Sequence, residues 1–365
     1  MKNAKKKILI ATGGTGGHIF PSLSLADFLK RKHQIEIVTD KRGLKYVPHG
    51  EEINIRTINS DTVFGKNIFK ACLGIVKIIL SFIFSIFLMM NSRPKLIIGM
   101  GGYSSFPVCI AGYCLRIPVI IYENNLVIGR ANRFLLPIVR KILVSTKDIQ
   151  GIDSKHSKKI FFSGYLIRSH ILNLKKENRQ NLEKKSLSIL IMGGSQSAKI
   201  FGEILPNIMA RCFQNGIKLK IYQQCLDDQL IQIKKIYEKS KLEFELFAFS
   251  GDMSKYYRRA DLAITRSGAS SLAELTNLRI PFIAIPLPSS VDNHQFKNAN
   301  YFKDKGYCFL LEEKSVSNKL FEILIDLNKD ERKLFLMKER MTEHSDKDTV
   351  SKIEKLIEKI LNEQN

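Results

Sequence analysis

Two stretches of this chain, about half its length apart, are built alike. Residues 6–14 (KKILIATGG) and 186–194 (SLSILIMGG) each read as a buried strand that runs into a glycine pair. A hydroxyl residue follows each pair, Thr15 or Ser195, and then a helical pattern. A second pair repeats the theme. Residues 96–105 (LIIGMGGYSS) lead through a helix-like stretch to LRIPVIIYENN, and residues 262–271 (LAITRSGASS) lead through another to LRIPFIAIP. Thr15 and Ser195 lie 180 residues apart, and Leu115 and Leu278 lie 163 apart. The internal repeat predicts an α/β chain of two facing Rossmann-like domains, with a nucleotide-containing ligand in the cleft between them.

A length of 365 residues accommodates two such domains, each with its own core. Hydrophobic content of 44% and charged content of 25% describe a folded protein. The six cysteines (72, 109, 114, 212, 225 and 308) contain no CxxC pair, so buried thiols in a reducing cytosolic compartment are expected. The basic start MKNAKKK is followed by only ILIA before the glycines, too short for a signal-peptide core. Residues 8–11 are therefore read as the first strand.

The net charge of +23 points to an anionic partner without naming it. No aromatic–basic stacking motif or recognition helix supports nucleic acid, so none is expected as a partner. An anionic membrane surface or phosphate-bearing substrates account for the charge equally well. Within residues 66–90 (KNIFKACLGIVKIILSFIFSIFLMM), Lys66, Lys70, Gly74, Lys77, Ser81 and Ser85 step by three or four along one narrow polar stripe. The least interrupted part, residues 78–90, falls short of the roughly 20 residues that span a bilayer. Two readings stand open: a packing helix of the first domain, or an interfacial helix with basic flanks at Lys66, Lys70, Arg93 and Lys95.

The glycine-rich loops carry the chemistry. In GGTGGH (13–18) the backbone can approach a ligand closely, and the following helix offers N–H groups and a positive dipole end. The spacing departs from GxGxxG and lacks the GK[ST] of a P-loop. His18 is read either as a loop-bonding histidine or as a catalytic one. In TRSGASSLAEL (265–275), Ser271 and Glu274 match a capping box, so Glu274 either closes a helix start or binds ribose hydroxyls. In PLPSSVDNHQFKNANYF (286–302), Asp292 or Asn293 can cap a helix, and the cluster with His294 and Gln295 equally suits sugar hydroxyls.

Taken in order, GGTGGHIFP, GMGGYSSFP, YENN, SGYLIR, GGSQSA, RSGASSLAEL and DNHQ resemble the peptidoglycan N-acetylglucosaminyltransferase family that converts lipid I to lipid II, a GT-B-fold family. The resemblance spans about residues 7–310. It implies domains over 1–165 (acceptor and membrane side) and 166–335 (UDP-sugar side), with 336–365 a helix returning to the first. It implies that UDP-N-acetylglucosamine is held by Arg168, Ser195 and the 269–271 backbone at the diphosphate, and by Ser250 at uracil. Glu274 would bind the ribose within the segment Ala269, Ser270, Ser271, Leu272, Ala273 and Glu274, and Gln295 the sugar. Thr15, Gly16, Gly17 and Asn125 would close over the sugar, and His18, Tyr103 and Asn125 would face the lipid I acceptor. The chain departs from the family at YENN (usually HEQN), at His294–Gln295 (usually two glutamines) and at Tyr165–Leu166 (usually Asn-Pro).

The implied reaction is inverting transfer to the 4-hydroxyl of the muramoyl-pentapeptide at the cytoplasmic face of a bacterial inner membrane, with no cofactor. The only DxD, Asp346-Lys347-Asp348, is read as a solvated helix face rather than a metal site, leaving helix N-termini, glycine-loop amides and Arg168 to neutralise the departing UDP. His18 is the candidate general base, with Glu123 or a water relay as its rival. Competing readings are another GT-B enzyme (a glycolipid synthase or a nucleotide-sugar epimerase), a non-catalytic sugar-nucleotide binder, and a nicotinamide oxidoreductase using Asp40 as its ribose-binding acid.

Overall fold

The computed structural model describes residues 5–47, 53–59, 68–174, 186–194, 199–248 and 250–363, and side chains of the segment that starts at 68 from residue 74 onward. The chain divides into two compact units, Met1–Arg168 with Asp346–Asn365, and Ser169–Ser345.

The first unit is built on seven parallel strands: β1 (Lys7–Ala11), β2 (Gln34–Thr39), β3 (Asn54–Thr57), β4 (Leu96–Gly99), β5 (Val119–Glu123), β6 (Lys141–Val144) and β7 (Ile160–Phe162). Their order is β3-β2-β1-β4-β5-β6-β7. Helices cover both sheet faces, which is why β1 reads as a continuous apolar run rather than an alternating one. Ile8 and Ile10 enter one core with Leu25 and Leu29 of the helix Gly16–Leu29. Ile353, Ile357, Ile360 and Leu361 of the helix Thr349–Asn362 complete that core. Leu9 and Ala11 point the other way, into a core with Val108 and Cys109 of the helix Ser105–Cys114 and with Met89.

The second unit carries six parallel strands: β8 (Leu187–Met192), β9 (Leu219–Gln224), β10 (Glu243–Phe247), β11 (Leu262–Thr265), β12 (Phe282–Ala284) and β13 (Cys308–Leu310). The order β10-β9-β8-β11-β12-β13 repeats that of the first six strands. It is the 3-2-1-4-5-6 order of dinucleotide-binding folds, in which ligands sit where the winding reverses. The reversal falls between β1 and β4 in one unit and between β8 and β11 in the other. Those four strands are the ones that end in the repeated glycine motifs.

The helix Ile68–Ser92 settles which way its polar stripe faces. Gly74, Ser81, Ser85 and Met89 are buried, Ser81 Oγ donates to Asn59 O at 2.9 Å, and Ser85 Oγ donates to Ser81 O. The stripe is the seam against the protein, where small side chains permit close packing. The bulky residues turn outward: Ile75, Val76, Ile79, Leu80, Phe84, Phe87 and Met90 are each about half exposed or more. The 19 residues Gly74–Ser92 are long and apolar enough to cross a membrane by length and composition. Lys66 and the side chain of Lys70 lie outside the described residues.

Asp346 corrects the reading of the DKD segment as solvated. It is buried, and its Oδ1 accepts from Tyr165 N at 2.8 Å. The carboxylate ties the C-terminal segment to the 164–166 turn.

Candidate active site

The loops after β1, β4 and β5 emerge from the same edge of three adjacent strands. The helix Gly16–Leu29 begins directly after the first loop, with Thr15 as its extended N-cap residue, Gly16 buried and Gly17 exposed. His18 follows, in the first turn. Its Nδ1 lies 3.0 Å from Met100 O in the loop after β4. A carbonyl oxygen can only accept, so in the neutral ring Nδ1 carries the proton and Nε2 holds the basic lone pair. Gly101, at φ +89°, makes room for the ring, since a Cβ there would stand 2.9 Å from His18 Cε1 and Nδ1. Tyr103 is half-buried in the same turn.

Glu123 ends β5 and is buried. Its Oε1 accepts from Asn125 N and Asn125 Nδ2, both at 3.0 Å, and its Oε2 accepts from Gly129 N at 2.8 Å and Asn132 Nδ2 at 2.9 Å. Four donors occupy the carboxylate's lone-pair directions, leaving it poorly placed to take a proton from a substrate. Its role is to shape the 124–129 loop and orient Asn125.

Asp40 is likewise committed. Its Oδ1 accepts from Arg42 N and Gly43 N at 2.9 Å each, capping the short helix Lys41–Leu44, and its Oδ2 accepts from Arg42 Nη2 and Ser104 Oγ. Burial pushes this carboxyl up, but the Arg42, Gly43 and Ser104 donors outweigh it and leave the group below its ordinary value. A ribose-binding acid must present its oxygens outward, so this geometry speaks against the nicotinamide reading. Arg168 is the last residue of the first unit rather than part of the second, and its guanidinium stacks 4.9 Å over Phe20.

In the second unit, the loops after β8, β11 and β12 again leave adjacent strands. Ser195 lies outside the described residues. The preceding glycine pair is pinned by Gln224 at the end of β9, whose Oε1 accepts from Gly193 N at 3.1 Å and whose Nε2 donates to Gly194 O at 3.2 Å. The sequence gives no local sign of Gln224's part, because the contact joins positions some thirty residues apart.

The helix Ala269–Asn277 starts at an N-cap of Gly268, and Leu272 N to Gly268 O at 3.1 Å is its first helical bond. The first-turn amides of Ala269, Ser270 and Ser271 therefore head the helix, where N–H groups have no intrahelical acceptor and the dipole favours an anion. Leu272 and Ala273 are buried in the packing beneath.

The expected capping box is not formed. Glu274 lies six residues past the N-cap, is buried, and accepts from Tyr257 Oη at 2.8 Å through Oε2. Ser250 Oγ closes a local turn by donating to Asp252 O at 2.7 Å.

Gln295 Oε1 accepts from Ser267 N at 3.2 Å and Leu287 N at 3.0 Å, clamping the loops after β11 and β12 together. Two backbone donors fix which end of the carboxamide is oxygen, so Nε2 is the end presented elsewhere. Asn293, the N-cap residue of the following helix, makes no side-chain cap bond, and both Asp292 and Asn293 have positive φ. His294 Nδ1 turns back to Val291 O at 2.8 Å. Beneath the loops, Arg266 donates to Ile285 O and Pro286 O, pairs with Glu313 and lies 4.9 Å from the Phe201 ring. Among the described residues, no three His, Cys, Asp or Glu side chains gather as a metal site.

Two sheets in the dinucleotide-binding order, each with a glycine-rich loop and a helix N-terminus at its switch point, define a two-domain nucleotide-binding α/β protein. Family models match both halves: the glycosyltransferase family 28 N-terminal domain over residues 8–144 and the family 28 C-terminal domain over 188–358. The chain belongs to glycosyltransferase family 28. It is similar to the UDP-N-acetylglucosamine--N-acetylmuramyl-(pentapeptide) pyrophosphoryl-undecaprenol N-acetylglucosamine transferase of Pelagibacter ubique, with 35% identity covering 98% of this chain and 99% of that protein. The protein of the same name from Rickettsia felis is 34% identical, covering 88% and 91%. Among solved structures, Acinetobacter baumannii MurG shares the GT-B fold at a TM-score of 0.78 and 24% identity, covering 98% of this chain and 100% of that one.

Proposed function

We propose that this chain transfers N-acetylglucosamine from UDP-N-acetylglucosamine to the 4-hydroxyl of the muramoyl-pentapeptide of undecaprenyl-diphosphate-linked lipid I, giving lipid II. The observation that carries the reading is identity of 35% over 98% of the chain to a relative named for that transfer. The site supplies a mechanism consistent with it. His18 Nε2, made basic by the Nδ1 bond to Met100 O, accepts the proton as the acceptor oxygen attacks the anomeric carbon from the face opposite UDP. That single displacement inverts the centre.

The departing diphosphate gathers charge at the first turn of the helix Ala269–Asn277 and at the glycine pair held by Gln224, and the family resemblance adds Ser195 and Arg168. Helix dipole and backbone amides do this work without a metal ion. Glu274, oriented by Tyr257, accepts from the ribose, and the Ser250 segment meets uracil. Gln295 Nε2 addresses the sugar; in the first unit the resemblance gives Thr15, Gly16, Gly17 and Asn125 to the sugar and Tyr103 and His18 to the acceptor.

The outward apolar face of the helix Ile68–Ser92, with Arg93 and Lys95 at its end, docks the protein peripherally on an anionic membrane. Its Ser81–Ser85–Met89 seam is used by the protein itself, so only one face is available to lipid. The test is transfer of labelled N-acetylglucosamine from its UDP donor to a short-chain lipid I analogue in excess chelator. Transfer that survives chelation supports both reaction and metal independence. UDP binding without transfer refutes the acceptor assignment, and loss of transfer restored by added Mg²⁺ refutes the metal-free mechanism.

A further inference from the structure

Asp40 and Ser104 have no part in the chemistry above, yet both are almost wholly buried beside it, at 3% and 0% exposure. Ser104 ends the segment that begins at Met100, the residue whose carbonyl holds His18. That segment is laid against the first glycine loop at successive points. A Cβ on Gly101 would meet the His18 ring at 2.9 Å, and a Cβ on Gly102 would meet Gly13 O at 2.6 Å. A Cβ on Gly13 would fall 1.6 Å from Ser104 Oγ. The two glycine-bearing loops thus interlock, backbone against backbone at Gly102 and Gly13 and with the His18 ring and the Ser104 hydroxyl fitted against the other glycines, and the Met100 carbonyl goes where the segment goes.

The far end of the segment is anchored by the Ser104 hydroxyl, which donates to Asp40 Oδ2 at 3.1 Å. Asp40 is an immobile anchor, because Arg42 N, Gly43 N and Arg42 Nη2 hold it at 2.7 to 2.9 Å. The charge facing it is the Arg42 guanidinium on its own short helix. From the packed 100–105 turn it receives the neutral Ser104 hydroxyl.

The geometry points to Asp40 and Ser104 as a positioning pair for the transfer reaction: the Ser104–Asp40 bond fixes the 100–104 segment, and through the Met100 carbonyl it fixes the tautomer and aim of His18. The carboxylate at the end of β2 thus works inward on the base, whereas a dinucleotide-binding domain turns its acid outward to a ribose. This inference rests on His18 as general base, and the experiment separates the two.

Turnover, donor KM and thermal midpoint are measured on the full chain for wild type, S104A, H18A and the H18A/S104A double variant, with the short-chain lipid I analogue as acceptor. S104A removes one hydroxyl from a site where the alanine Cβ is already accommodated, so the fold is retained. The expected result is a roughly tenfold loss of kcat in S104A at unchanged donor KM. The same substitution should cause no further loss in the H18A background, because residues acting as a unit are non-additive. Wild-type turnover in S104A overturns the inference. An equal loss from S104A in both backgrounds overturns it as well, since Ser104 would then act independently of His18. H18A that turns over like wild type refutes the base assignment itself, and with it the role of the pair.

Discussion

Gly101→Ala is the substitution whose consequences the geometry predicts most directly. Residue 101 has φ +89°, a region where an L side chain is strained, and that alone costs about 1–3 kcal/mol. The new Cβ would lie 2.9 Å from both His18 Cε1 and Nδ1, against about 3.6 Å for an ordinary carbon contact. The ring must yield by about 0.7 Å to reach that separation. A shift of that size is enough to stretch the 3.0 Å bond to Met100 O beyond hydrogen-bond range. Misplacement of about an ångström costs on the order of a hundredfold in rate, so kcat should fall by a factor of about 30 to 100, while UDP affinity, to which the proposed mechanism gives neither Gly101 nor His18 a part, stays unchanged. Gly216→Ala is the matched control. It carries a similar φ of +85° with nothing within 4 Å of the added Cβ, and should lose stability by a similar amount with turnover intact. Turnover assays with calorimetric UDP titration on both variants decide it. If Gly101→Ala turns over like Gly216→Ala, the contact with His18 has no catalytic consequence and the reasoning fails.

Tyr257→Phe removes the hydroxyl that orients buried Glu274 and should raise donor KM about tenfold; an unchanged KM in steady-state kinetics would detach Glu274 from the ribose. Phe84→Glu with Phe87→Glu places two charges on the outward face of the helix Ile68–Ser92. Sedimentation with anionic vesicles should lose the protein from the pellet while UDP affinity holds; undiminished pelleting places the membrane contact elsewhere. Asp40 makes a pH prediction. Its folded value is depressed, so its stabilisation is present above about pH 4, the ordinary carboxyl value, and is lost as pH falls through the folded value. Asp40→Asn should therefore flatten the acid limb of a stability-versus-pH curve below about pH 4, and a curve parallel to wild type would contradict this.

The glycine motifs were legible because strand, glycine pair and helix start are contiguous in the chain. That they stand at the two switch points was not, because strand order is set by pairing between distant segments. Features that depend on the partner surface were not legible. Ser271 and Glu274 have capping-box spacing, but spacing does not say where the helix begins, and Gly268 begins it. The polar stripe of the helix Ile68–Ser92 is visible in sequence, yet whether small polar residues face water or a close-packed neighbour depends on what lies beside them. Asp346 looks solvated among lysines until the 164–166 turn arrives to meet it. Gln224, Tyr257 and the Met100 carbonyl act across separations that no local pattern records.

The helix Thr349–Asn362 supplies Ile353, Ile357, Ile360 and Leu361 to the core under β1, although all of the second unit lies between them in the chain. During synthesis, Ile8 and Ile10 leave the ribosome more than 300 residues ahead of the helix that completes their core. The second unit has its own core entirely within 169–345 and can close while the first still exposes an apolar sheet face. The half that carries His18 is begun before the second unit and finished after it, so its core closes only once the helix Thr349–Asn362 has emerged.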